Sequence, residues 1–99
     1  MFLDRYKNDI NRLCLENKVK YLYVFGSVLT DYFNDKSDID LIVDINSNDP
    51  IDYANNYFNL KFSLQDLLKR HIDLLENKAI KNSYIRENID RSKMLIYGA

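Results

Sequence analysis

Glycine is nearly absent from this sequence, at two residues in 99, and proline occurs once. So little turn-forming chemistry excludes collagen-like repeats, low-complexity linkers and long irregular loops. The single cysteine, Cys14, excludes an internal disulfide and a thiolate zinc cluster. It falls in an amphipathic pattern and reads as a small buried hydrophobe. A charge excess is missing too: the formal net charge is −1. Without a basic footprint, a polynucleotide is a poor fit as the main ligand. No apolar run approaches the length of a membrane span, and the N-terminus lacks a signal-peptide pattern. The expected setting is a reducing cytoplasm. No repeat or internal domain boundary is visible.

What is present is globular composition, 46% hydrophobic and 29% charged. A chain of this length supports one domain, residues 1–99, with one modest core. Phe2, Tyr6, Ile10 and Leu13 recur at helical spacing and predict a helix from Phe2 to Asn17, then a link over Lys18–Lys20. Tyr21–Phe25 predicts a first strand, and Val28–Tyr32 a short helix with Ser27 at its start. Phe33–Ser37 is the loop into a second strand, Asp38–Ile45. Asp49 and Pro50 form a helix-start signature, N-cap followed by proline. The helix they open runs to Lys69, with Ala54, Phe58, Leu64, Leu67 and Leu68 as its buried stripe. Tyr53, Tyr57 and Phe62 on it read as packing residues. Arg70–Leu75 predicts a third strand. Asn82–Tyr97 predicts a last helix with Ile85, Ile89 and Ile96 on one side, an Arg86–Asp90 pair, and Gly98 as its stop.

One stretch is not ordinary. The apolar run ending at Phe25 stops at Gly26-Ser27, and Asp38 follows eleven positions after Ser27. Asp38 and Asp40 are two apart, so on a strand they share one face while Ile39, Leu41 and Val43 take the other. Two acids opening a buried strand repel each other and resist desolvation unless a cation neutralises them. Oxygen ligands of this kind suit a hard divalent cation. Gly26 permits close backbone approach and Ser27 offers a hydroxyl where phosphate could bind.

This constellation, G-S, a spacer, then D-x-D on an apolar strand, resembles the nucleotidyltransferase superfamily with the DNA polymerase β-like fold. The chain's length is similar to that of the minimal nucleotidyltransferases, which include the antitoxin half of HEPN–MNT toxin–antitoxin pairs. The resemblance implies an α/β (α+β) fold, a small mixed sheet with helices packed mainly on one face. It implies a third acid on a later strand, and Asp73 is the candidate. His71 shares that strand face but has no partner visible in the sequence; it reads as a surface or packing residue. Asp38, Asp40 and Asp73 are then the expected catalytic and metal-binding residues, with Gly26 and Ser27 on the β- and γ-phosphates. The implied cofactors are two Mg²⁺ ions, or Mn²⁺, with ATP as substrate. The implied activity is transfer of AMP to a hydroxyl, a Tyr of a HEPN ribonuclease toxin; the alternative is a catalytically weak or inactive antitoxin that neutralises by direct binding. Nucleic acid and membrane are not expected partners, and a homo-oligomer is left open. Where many relatives read G-S-x-A-R-G, this chain has Gly26-Ser27-Val28-Leu29-Thr30-Asp31. The usual Arg is Thr30, and Lys36, Lys61, Lys69 and Arg70 are the cations that could compensate.

Overall fold

The computed structural model describes residues 1–98. Phe2–Tyr6 forms a 3₁₀ turn that runs into helix α1, Lys7–Glu16. Strand β1 is Val19–Phe25, β2 is Ile39–Ile45, helix α2 is Pro50–Leu68 and β3 is Ile72–Glu76. Helix α3, Ser83–Ser92, and strand β4, Met94–Tyr97, complete the described chain. The sheet has four strands in the order β3-β2-β1-β4. β1 is antiparallel to β2 and β4, whereas β2 and β3 run parallel, so the sheet is mixed as expected.

Alternation decides which residues enter the core. Leu22, Val24, Ile39, Leu41, Val43, Ile72 and Leu74 are buried on one sheet face, against Ile10, Leu13 and Cys14 of α1 and Leu60, Leu64 and Leu68 of α2. Burial pushes the Cys14 thiol up to about 12, so it behaves as the apolar residue its spacing implied. Asp49 caps α2, its carboxylate accepting from the Ile51 N–H at 3.0 Å, with Pro50 in the first turn. The helices thus lie mainly on one face; α3 alone lies over the other, where Ile89 is buried.

Several expected details differ. β1 begins at Val19, so the link is the turn at Asn17 and Lys18, with Lys18 at φ 58°, rather than Lys18–Lys20. The α2 stripe is Tyr53, Leu60, Leu64 and Leu68, while Phe58 is 49% exposed and stacks on the equally outward Phe62. The predicted last helix stops at Ser92: Lys93 is extended, and the residues after it pair with β1 as β4. Arg86 does not pair with Asp90. Its guanidinium donates to the Asn77 and Ile80 carbonyls, and Asp90 takes Lys93 at 2.8 Å instead.

Candidate functional site

The parallel register of β2 and β3 sets Asp40 directly beside Asp73. Both leave the face opposite the main core, because Ile39, Leu41, Ile72 and Leu74 take the core side. Asp38 lies just before β2, where the Ile39 N–H donates to the His71 carbonyl at 3.1 Å. That bond aligns the two strand starts and brings Asp38 to the same end of the sheet as Asp73. The loop before Asp38 is held from below. Arg70 sits 4.6 Å from the ring centres of both Phe2 and Phe33, and its guanidinium donates to the Asn34 and Ser37 carbonyls. Arg70 is therefore committed to positioning Asp38. Lys61 lies on α2, across the sheet from the carboxylates, which leaves exposed Lys36 and Lys69 of the four candidate cations.

The carboxylates crowd one another. Partial burial first, then the charge of Asp73, a hydrogen bond with Asp73 and the charge of Asp38 push the Asp40 carboxyl from 3.8 up to about 6. His71 opposes this rise. A site whose neighbouring acids disfavour the ionisation of Asp40 gains from a divalent cation, and all three offer hard oxygen donors. The residues present fit such an ion.

Gly26 and Ser27 lie at the end of β1, where Phe25 pairs with Asp40. The expected helix here is a 3₁₀ turn, Gly26–Leu29, that begins one residue before Ser27 rather than after it. Gly26 has φ +79°, the left-handed region. A Cβ there would overlap Asp40 Oδ2 and lie 3.3 Å from its Cγ. Glycine thus lets the turn's backbone touch the carboxylate. The turn is closed without the Ser27 hydroxyl: the Thr30 N–H and hydroxyl both donate to the Ser27 carbonyl, at 2.9 and 2.8 Å. Thr30, which stands at the usual Arg position, is spent on that turn.

His71 was given no role from sequence, yet its Nδ1 lies 3.5 Å from Asp38 Oδ2 and 3.8 Å from Asp73 Oδ1. Asp38 is distant in sequence, so only the strand pairing reveals it as a partner; Asp73, two residues on and on the same strand face, is the signal the sequence offers. Beside the acids, Phe25, Gly26 and Leu75 face Ile85 and Ile89 of α3 across an open groove.

Known proteins share this architecture. Residues 8–99 match the family model described as polymerase beta nucleotidyltransferase. A Methanocaldococcus jannaschii relative named as a putative protein adenylyltransferase is 40% identical over 81% of this chain and 76% of its own. A solved structure named as a minimal nucleotidyltransferase matches with a TM-score of 0.72 at 26% identity, over 93% of this chain and 90% of that one. A chain of the complex of tri-AMPylated Shewanella oneidensis HEPN toxin with MNT antitoxin has the same fold, with a TM-score of 0.67 at 22% identity, over 100% of this chain and 74% of that one.

Proposed function

The chain belongs to the polymerase β-type nucleotidyltransferase family, and from that premise we propose that it transfers AMP from ATP to a tyrosine hydroxyl of a partner HEPN toxin, as the antitoxin of the pair. The observation that carries the reading is the three-way contact of Asp40: Asp73 beside it in register, Asp38 adding its charge, and the Gly26 backbone against its carboxylate. Carboxylates and a phosphate-accepting turn in contact are what a triphosphate needs at its reacting end. The relative named for protein adenylylation and the AMPylated HEPN complex support a protein acceptor. So does the near-neutral charge, which suits a protein better than RNA or DNA.

In this reading Asp38, Asp40 and Asp73 hold a divalent cation, Mg²⁺ or Mn²⁺. When bound, it neutralises the triphosphate and lowers the pKa of the acceptor hydroxyl. Gly26 and Ser27 grip the β- and γ-phosphates. The acceptor oxygen bonds to the α-phosphorus as the bond to the β-phosphate oxygen breaks, and pyrophosphate leaves. The hydroxyl proton passes to Asp73, an exposed acid of the cluster that an incoming acceptor can reach. Positioning and charge neutralisation supply most of the rate. AMP on a tyrosine near the toxin's RNA-cleaving site adds a phosphate charge and a bulky base where RNA must bind.

The test is transfer of label from α-phosphate-labelled ATP to the purified partner. Label on the partner that depends on divalent cation supports the reading, and an unlabelled partner under millimolar Mn²⁺ contradicts it. Ser27→Ala separates phosphate binding from folding. Because no hydrogen bond of the turn uses the Ser27 hydroxyl, the melting temperature should hold within about 2 °C, where loss of a true cap costs ~1 kcal/mol. The KM for ATP should rise. A large fall in melting temperature at unchanged KM would return Ser27 to a structural role.

A second reading, neutralisation by covering the toxin, is favoured by two observations. Thr30 replaces the usual arginine, and the groove beside the acids exposes Leu75 by 39% and Ile85 by 49%. Protection of cells by a chain that leaves no label on its partner would select it.

A further inference from the structure

We infer that His71 is an additional metal ligand in this chain, so that the site prefers borderline transition metals such as Co²⁺ and Zn²⁺ to Mg²⁺ more strongly than an all-carboxylate site would. The inference rests on the metal site proposed above and assigns it a nitrogen donor. One donor atom each from Asp38, His71 and Asp73 lies within 4.8 Å of the other two. Nδ1 is 3.5 Å from Asp38 Oδ2 and 3.8 Å from Asp73 Oδ1. Both separations exceed an N–H···O hydrogen bond of about 2.7–3.2 Å, so the imidazole is not simply bonded to either acid. They fall inside the span of donor separations around one shared ion. A six-coordinate cation with bonds of about 2.1 Å sets neighbouring donors ~3.0 Å apart and opposite donors ~4.2 Å apart.

The backbone holds the imidazole there. Its carbonyl accepts from the Ile39 N–H, and the preceding residue, Arg70, is clamped between Phe2 and Phe33. The ring is exposed, so a hydrated ion can reach it. Asp40 stands beside Asp73 on β2, against Gly26. Asp38, His71 and Asp73 would offer an ion a mixed nitrogen–oxygen donor set, beside the carboxylate of Asp40. Imidazole favours Zn²⁺, Co²⁺ and Ni²⁺, whereas Mg²⁺ gains little from nitrogen.

The chain contains one histidine, so its ring signal is unambiguous in untagged protein. Titrating ¹⁵N-labelled protein with Zn²⁺ should shift the Nδ1 resonance to the value of a ligated nitrogen. Calorimetric titrations should show Co²⁺ and Zn²⁺ affinity falling about ten- to a hundredfold in His71→Ala, with Mg²⁺ affinity changed far less. His71→Gln, which keeps bulk and polarity but not the ring nitrogen, should lose the same preference. An unshifted Nδ1 at saturating Zn²⁺, or equal losses for all metals, overturns the inference and leaves the carboxylate site standing. A wild-type chain that binds no divalent cation overturns both.

Discussion

Asp40→Asn should abolish nucleotidyl transfer, by at least about a hundred- to a thousandfold, while making the metal-free protein more stable. The two effects share one cause. Asp40 carries a carboxylate that the fold disfavours, since its folded-state value of about 6 lies above the ordinary 3.8. Below pH 3.8 the group is protonated in both folded and unfolded chains and contributes nothing. Between pH 3.8 and about 6 the folded chain holds a proton that the unfolded chain has released, so stability falls as pH rises. Above about 6 the full penalty is present. With solvent screening of this partly exposed group, it amounts to ~1 kcal/mol. The melting-temperature difference between Asp40→Asn and wild type in EDTA should therefore open from near zero below pH 3.8 to a plateau of roughly 4–8 °C above pH 6. Millimolar Mn²⁺ should narrow or reverse the order, because an ion that binds folded wild type more tightly than the variant stabilises it further, by up to ~2.7 kcal/mol at a hundred times its Kd. Melts that superimpose at every pH, with and without metal, would show that Asp40 is neither strained nor a ligand.

Gly26→Ala should be nearly as damaging to turnover and, unlike Asp40→Asn, should also weaken the fold. The added methyl at φ +79° puts an L side chain in the left-handed region, which costs ~1–2 kcal/mol. It also overlaps Asp40 Oδ2, so either the turn or the carboxylate must move. A displacement of about 1 Å at the reacting groups costs ~100-fold in rate. Loss of turnover should appear mainly in kcat, with the melting temperature down by roughly 4–15 °C. Pairing the change with Asp40→Ala, which clears the space but leaves the left-handed strain, should recover part of the stability and none of the activity. Full activity in Gly26→Ala would mean that the turn and the carboxylate do not work as one unit.

Much of this site was legible because its signals are local. Alternation at Asp38-Ile39-Asp40-Leu41 fixes which face the acids take, and the apolar neighbours of Asp73 mark it as a strand acid. Their pairing in register follows once β2 and β3 lie side by side. What escaped depends on long-range contacts. Nothing near Lys93 breaks the helical pattern, and Met94–Tyr97 becomes a strand because β1 offers a free edge. Phe58 fits a helical stripe as well as Leu60 does, and only the position of α2 on the sheet buries one and exposes the other. Ser27 was expected to start a helix, but the turn closes on its carbonyl instead. His71 needed Asp38, distant in sequence, to acquire its partners.

Under the proposed function the chain modifies its partner rather than merely covering it. The direct measurement is the intact mass of the HEPN partner after co-expression with wild type and with Asp40→Asn. Wild type should leave additions of one AMP unit each and protect the host cell, and Asp40→Asn should leave the mass unmodified and the cell unprotected. An unmodified partner beside wild type, with protection intact in Asp40→Asn, would contradict the account.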